Sequence, residues 1–283
     1  MKKGNFIQNW DVSYEELATT YNDDHIQSRD DLLQLLEYEY VYEDIIKNIK
    51  KPIHEIKTLE IGCGGARVSV YLAKKGMQVT CTDNAREALR LAEANFKKEN
   101  AKNYTLVEDD LLHSKLIPES YDVVMSFGLL EHFRDLDELF TAMSRFIRPG
   151  GIHIHDIITK RFSIRKVTEI WNTIARFLKR FFTFQWKKMF TESYIPFPHY
   201  ENSYSLDQYV EAMDRSGCNL VYRGGMVFWT FFALPRSWQR ALVSWAKRHP
   251  DFFRNLDRSG KKWMEVVGAT WWLVGKKREK IGS

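Results

Sequence analysis

The sequence predicts an α/β protein built on a doubly wound, mainly parallel sheet, with a helical N-terminal flap and helical cap insertions. Three observations carry this. Between residues 57 and 158, five strand-like runs alternate with helical stretches, the order that covers a parallel sheet on both faces. Directly after the first run, "LEIGCGGARVSVYLAKKG" (59–76) places Gly62, Gly64 and Gly65 in a turn before a helix. Beyond residue 160 the alternation gives way to helices rich in aromatic and basic residues.

In chain order, residues 11–50 read as helical and stop before Lys51-Pro52, where proline disfavours continuation. The 1–56 stretch is the expected flap. The apolar run 57–62 is a strand, "RVSVYLAKKG" a helix closed by Gly76, and "MQVTCTD" (77–83) a β-branched second strand. Ala88, Leu91, Ala92 and Phe96 recur at helical spacing in "AREALRLAEANFKKEN". "NYTLVED" (103–109) and "YDVVMSF" (121–127) are the third and fourth strands, and a helix covers about 135–147. Pro149-Gly150-Gly151 punctuates the end of that helix, and "GGIHIHDII" (150–158) is the fifth strand. Residues 57–158 are thus the expected core. The 159–283 stretch holds the cap helices and the last two strands: an amphipathic helix at 164–182, a helix at 205–217 with Ser205 as N-cap, a strand near 218–223 and a closing strand at about 265–275.

A chain of 283 residues with 44% hydrophobic content can bury a substantial core. Cys63, Cys81 and Cys218 are odd in number and lack metal-ligand spacing, which predicts neither a disulfide framework nor a metal site, and a reducing compartment. The first residues lack the apolar run of a signal peptide, and no later run reaches the roughly 20 apolar residues of a membrane span. The expectation is a cytoplasmic protein, with peripheral membrane association as the alternative. Its net charge of +5 is modest, but nine Lys or Arg residues lie between Lys160 and Lys188 against the single acid Glu169.

In a doubly wound sheet the ligand lies beyond the carboxyl ends of the strands, beside the first strand-to-helix turn. A dinucleotide fingerprint needs glycine or alanine at position 67, where Arg67 stands, and Glu60 brings negative charge to where a pyrophosphate would lie. That argues against a dehydrogenase. S-adenosylmethionine has no phosphate and carries a cationic amino group, which an acidic glycine turn suits. Asp83 ends the second strand, where a carboxylate can accept both ribose hydroxyls. Asp110, or its neighbour Asp109, ends the third strand within reach of an adenine amine.

With "LEIGCGG", "VTCTD", "VEDDLL", "YDVVMSFGLLEHF" (121–133) and "SRFIRPGGIHIHD" (144–156), the stretch 57–158 resembles the class I S-adenosylmethionine-dependent methyltransferases, particularly their small-molecule group. A weaker likeness continues through "PHYENSYSLDQYVEAMDRSGCNL" (198–220). The resemblance implies a Rossmann-like seven-stranded sheet whose last strand is antiparallel. It implies an enzyme that transfers a methyl group from S-adenosyl-L-methionine to an O or N atom of a small-molecule or lipid-like acceptor by in-line displacement. By the same resemblance, the backbone of Gly62, Cys63 and Gly64 surrounds the methionine portion and Glu60 supports its amino end. Asp83 binds ribose with Asn84 beside it, Asp110 and Leu111 face adenine, and Gly128 and Leu129 pass the sulfonium. About forty residues separate the sixth and seventh strands, where the family usually has a short hairpin. A non-catalytic module that keeps the cofactor fold is the alternative.

Displacement at a sulfonium has an activated leaving group, so alignment can supply on the order of 7 to 11 kcal/mol of the barrier, and a base is needed only for the acceptor's proton. His155, at the carboxyl end of the fifth strand beside Asp156, is the first candidate for base or substrate positioning, followed by His199 and His132. The 164–182 helix sets Ile164, Val167, Ile170, Trp171, Ile174, Phe177, Leu178 and Phe181 on one face and its basic residues largely elsewhere. Two readings follow: a lid with its apolar face on the core, or a helix resting on an anionic membrane from which a prenylated quinone or glycolipid enters. No nucleic-acid recognition motif accompanies the charge, so nucleic acid is not expected as a partner.

Overall fold

The computed structural model describes residues 29–161, 163–191, 201–227 and 236–279. Seven strands form one sheet in the order β3-β2-β1-β4-β5-β7-β6. They are β1 (Lys57–Ile61), β2 (Gln78–Asp83), β3 (Tyr104–Glu108), β4 (Tyr121–Phe127), β5 (Ile147–Ile158), β6 (Cys218–Met226) and β7 (Thr270–Lys277). The pairings from β3 through β5 are parallel, and β7 enters antiparallel between β5 and β6. This is the Rossmann-like sheet that the sequence predicts. Its strand order reverses between β1 and β4, which opens a crevice at their carboxyl ends.

The helices are α1 (Arg29–Asn48), α2 (Arg67–Lys74), α3 (Arg86–Lys98), α4 (Leu136–Phe146), α5 (Ile164–Phe182), α6 (Trp186–Thr191), α7 (Leu206–Arg215), α8 (Arg236–Arg248), α9 (Pro250–Asp257) and α10 (Lys262–Val267). One face of the sheet is covered by a core that joins Tyr38, Val41 and Ile45 of α1 to Val70, Phe96, Val243 and Trp272. The other face packs Phe140 and Met143 of α4 and Tyr209 and Ala212 of α7 against Val124, Trp271 and Leu273. The period of two in a strand sends Trp271 and Trp272 into opposite cores. Helix starts follow local chemistry: Asp135 accepts the Glu138 N–H at 2.9 Å, and Ser205 and Gln208 form a capping box at α7.

Helix α1, expected within a flap, is built into the core. Its buried Asp44 lies among Tyr40, Val41 and Ile45 and accepts the indole N–H of Trp272 at 2.8 Å. Arg258 binds the same carboxylate, while Arg254 pairs with Glu39 and Glu43.

Two boundaries differ from expectation. Residues 265–267, expected at the start of the closing strand, belong to α10, because Gly225 and Gly268 let the Met264 carbonyl lie against the sheet backbone; a Cβ at Gly225 would come within 1.7 Å of that oxygen. Strand β5 begins at Ile147, and the Pro149-Gly150-Gly151 cluster forms an irregularity inside it, where the register with β4 jumps between Tyr121 and Val123.

Candidate cofactor and acceptor site

The glycine turn leaves β1 at the switch point. Gly62 and Gly64 have φ of +65° and +51°, which suits glycine. A Cβ at Gly62 would lie 2.8 Å from Leu129 Cδ1, so the turn is pressed against the loop that follows β4. Glu60, 4% exposed, reaches from the strand to the next helix and accepts the backbone N–H and the hydroxyl of Ser69 at 3.2 and 2.5 Å. It thereby satisfies one of the orphan donors at the start of α2. Burial pushes its carboxyl up to about 7, against the opposing pull of the Ser69 donors and of Arg67.

Asp83 closes β2 with its carboxylate buried beneath the turn. Oδ2 accepts the Gly64 N–H and Oδ1 the Ala85 N–H, both at 2.9 Å. Each oxygen keeps acceptor capacity for a further donor. Burial raises its proton affinity, and the amides of Ala85, Gly64 and Asn84 oppose that. Asn84 is exposed and Leu111 is buried. Asp110 is exposed, and its side chain caps its own turn, accepting the Leu112 N–H at 3.2 Å and lying 3.4 Å from His113 Nδ1. Cys63 is buried, and its thiol is held up by the Cys81 side chain and by burial, which leaves it no character of a nucleophile.

The loop after β4 forms the other wall. Gly128 has φ of +66° and donates its N–H to the Asp156 carbonyl at 2.9 Å. Leu130–His132 is a short 3-10 turn in which Glu131 is buried and His132 is partly exposed. Asp156 lies near the carboxyl end of β5, its carboxyl raised by burial and by the neighbouring Glu37. Glu37, on α1, adds a further acid, its carboxyl raised by burial against the opposing charge of Arg67. The sequence reading missed Glu37; its signal was a carboxylate one turn ahead of Val41, on a helix whose apolar stripe faces the core.

The histidines divide differently from expectation. His155 is fully buried, its Nδ1 2.9 Å from Ser126 Oγ and its Nε2 3.2 Å from His153 Nδ1. His153 continues the chain to Ser144 Oγ at 2.9 Å. Burial pushes His155 down to about 3. With both nitrogens engaged and the ring against Phe140 of α4, His155 is a core residue, which corrects its expected place as a base in the pocket. His199 lies outside the described residues.

Chemically, the site fits a ligand that brings cations and hydroxyl donors. Two buried carboxylates, Glu60 and Asp83, stand at successive strand ends, and two positive-φ glycines keep side chains away from the backbone between them. This is the Rossmann-like fold of class I S-adenosylmethionine-dependent methyltransferases, and the groups at the site suit their cofactor, S-adenosyl-L-methionine, which has a cationic amino acid portion and a ribose diol.

The comparisons agree with that class. Residues 59–155 match the methyltransferase domain family. Ubiquinone biosynthesis O-methyltransferase of Pelagibacter ubique is 29% identical over 123 residues, 41% of this chain and 50% of that protein. The enzyme of the same name from Vibrio atlanticus is 32% identical over 109 residues, 38% and 45% of the two chains. The chain thus spans about half the length of the curated relatives it matches. Among solved structures, a putative sarcosine dimethylglycine methyltransferase from Galdieria sulphuraria superposes with a TM-score of 0.53 at 20% identity, covering 87% of each chain. Magnesium protoporphyrin IX methyltransferase from Synechocystis PCC 6803, with bound SAH, gives 0.52 at 13% identity over 87% of this chain and 84% of that one. The [4+2]-cyclase SpnF gives 0.54 at 13% identity over 86% and 81%. These likenesses establish the fold.

Proposed function

We propose that this protein transfers the methyl group of S-adenosyl-L-methionine to a hydroxyl oxygen of a small, lipid-like ring acceptor. The observation that carries the reading is Asp83, held beneath the glycine turn by the Gly64 and Ala85 amides, within the segment that matches a methyltransferase domain. In this assignment Asp83 accepts the ribose hydroxyls with Asn84 beside it, and Glu60 faces the amino group. Gly62, Cys63 and Gly64 surround the methionine portion through their backbone. Asp110 and Leu111 border adenine, Gly128 and Leu129 pass the sulfonium, and His132 lies at the acceptor side. The bound cofactor supplies a methyl group on an activated leaving group, so the chain's main task is alignment in a site closed to water.

Oxygen is favoured over nitrogen because the curated relatives carry O-methyltransferase in their names. A non-catalytic module is the competing reading, given a cyclase on the same fold. The deciding experiment incubates the protein with methyl-labelled S-adenosylmethionine and a short-chain prenylated catechol. Label on the catechol supports the proposal; SAH binding without transfer to this probe or to a host-cell extract favours the module.

A second reading concerns where the acceptor is met. Helix α5 leaves its apolar face outside the described core: Ile170 is 63% and Ile174 49% exposed, and Thr168 is its buried residue. The lid reading placed that face on the core. We infer that α5 rests on an anionic membrane surface, with Trp171, Phe177 and Phe181 at headgroup level and Lys179, Arg180, Lys187 and Lys188 toward lipid phosphates. No helix among the described residues is long and apolar enough to cross a membrane. Flotation with anionic but not zwitterionic vesicles tests this reading.

A further inference from the structure

One buried acid at the switch point has no role in cofactor binding. Glu131 is 1% exposed, and its carboxyl has no side-chain donor among the described residues; the backbone amides of Glu131 itself and of Ile158 lie near it, outside good hydrogen-bond geometry. A buried carboxyl with so few donors is costly and uncommon. Its position is nevertheless tightly specified. The Asn202 N–H donates to the Glu131 carbonyl at 2.7 Å, and Asn202 Nδ2 donates to the carbonyls of Leu130 and Phe133 at 3.1 and 3.0 Å. The Tyr209 hydroxyl in turn fixes Asn202 Oδ1 at 2.8 Å. A helper side chain from beyond β5 therefore holds the loop that carries this buried acid.

That acid lies next to the crevice. Leu129, two residues earlier, presses on Gly62 of the glycine turn, and a Cβ at Gly128 would sit 3.6 Å from Glu131 Oε1. The Gly128 hydrogen therefore leaves the carboxyl approachable from the turn side. Asp156, also carrying an unpartnered Oδ1, stands near the carboxyl end of the neighbouring strand.

Resting on the reading of this chain as an O-methyltransferase, we propose that Glu131 is the general base that receives the acceptor's hydroxyl proton. The acceptor O–H bond breaks toward the Glu131 carboxylate, and the electron pair so freed forms the new bond from oxygen to the methyl carbon. The pair that held the methyl stays on sulfur, and the proton leaves Glu131 for solvent. The surroundings suit the task. Burial pushes the carboxyl up to about 8; the backbone amides of Glu131 and Ile158 and the charge of Arg165 oppose that, and Glu201 adds to it. Asp156 faces it from β5 and is itself faced by Glu37 and Asp257. A base with that proton affinity is matched to a weakly acidic hydroxyl near neutral pH.

The test compares wild type, Glu131→Gln and Glu131→Asp in three measurements: calorimetric SAH binding, methyl transfer to the prenylated catechol across pH, and infrared titration of the protonated carboxyl band. In wild type, kcat/KM should rise with pH and level off above about 8, in step with loss of the band. Glu131→Gln should bind SAH as wild type does, lose the band, and lose about 10²- to 10⁴-fold in kcat. Its rising limb should move to the catechol's own ionisation. Glu131→Asp should keep part of the rate with a displaced limb. Unchanged rate and pH profile in Glu131→Gln overturn the proposal, as does an unchanged limb in Glu131→Asp should the glutamine variant not fold. Wild-type protein that binds SAH yet labels no acceptor counts against the proposed function instead. The band then decides for Glu131 alone: a midpoint near 8 supports a proton-holding group there, and one in the ordinary carboxylate range overturns it.

Discussion

Arg258 holds Asp44 through both terminal guanidinium nitrogens, across 214 positions of sequence, and Trp272 of strand β7 donates to the same carboxylate. Helix α1, the segment after α9 and the sheet therefore meet at one buried anion. Removing the cation leaves that anion buried against the indole N–H of Trp272. Arg258→Ala should cost about 3 kcal/mol, the low end for breaking a buried pair because the arginine is partly exposed. Asp44→Asn with Arg258→Met should recover much of this. Urea unfolding midpoints at unchanged slope check both.

Asp83 should decide cofactor affinity. Asp83→Ala removes acceptors for the Gly64 and Ala85 amides together with those offered to a ribose diol. Two hydrogen bonds to a charged group, at about 1.5 to 3 kcal/mol each, correspond to at least a 10²-fold loss of SAH affinity. Titration calorimetry, with circular dichroism as a control on folding, measures it.

Gly62 is expected to tolerate no side chain. At φ of +65°, alanine incurs about 1 to 2 kcal/mol of backbone cost, and its methyl would meet Leu129 at 2.8 Å. Gly62→Ala should lower the melting temperature and weaken SAH binding. Adding Leu129→Ala should return part of the loss by removing the clash but leave the backbone portion.

Stability should fall as pH rises from roughly 7 to 9, above the range where the buried, proton-poor His153 and His155 tilt it the other way. Glu60 and Glu131 have folded values near 7 and 8, against about 4.3 in an unfolded chain. Between those limits the native state binds more protons than the unfolded one. The contribution is therefore complete below the unfolded value and is lost as pH climbs through the folded values, at up to about 1.4 kcal/mol per pH unit per group. Glu131→Gln should flatten this slope. Urea unfolding at roughly pH 7 and 9 gives the comparison.

The α5 surface should bind lipid through its apolar face. Ile174→Glu with Phe181→Glu should reduce flotation with anionic vesicles by at least about tenfold, and added salt should weaken the wild-type interaction. SAH affinity should stay unchanged, because both side chains are exposed on a helix outside the strand ends that form the cofactor site.

The parts legible in the sequence were those written in adjacent residues. The five runs from 57 to 158, the glycine turn and Asp83 all announce themselves within a strand and the turn that follows. The parts that were not legible depend on distant partners. His155 looked pocket-facing because it stands at a strand end, yet Ser126 and Phe140 draw it beneath α4. Glu131 resembled any acid in a turn until Asn202, far along the chain, appeared as the residue that pins its loop. The helix over 262–267 replaced an expected strand because Gly225, some forty residues earlier, admits its backbone. Helix α5 was readable as amphipathic, but only the assembled core reveals which of its faces lacks cover among the described residues.

The placement of β7 between β5 and β6 bears on how the molecule assembles. Strand β6 pairs with residues 44 to 59 positions downstream, and β5 keeps one open edge until that same strand arrives. The strand pairings from β3 to β5 are all made within residues 57–158, so the half of the sheet that carries the cofactor turn can pair before β7 arrives. Completion waits on a single late, long-range insertion that closes two edges at once. Until it occurs, the exposed edge of β5 is a template for pairing with another chain, which makes that step the natural point of interception for a chaperone.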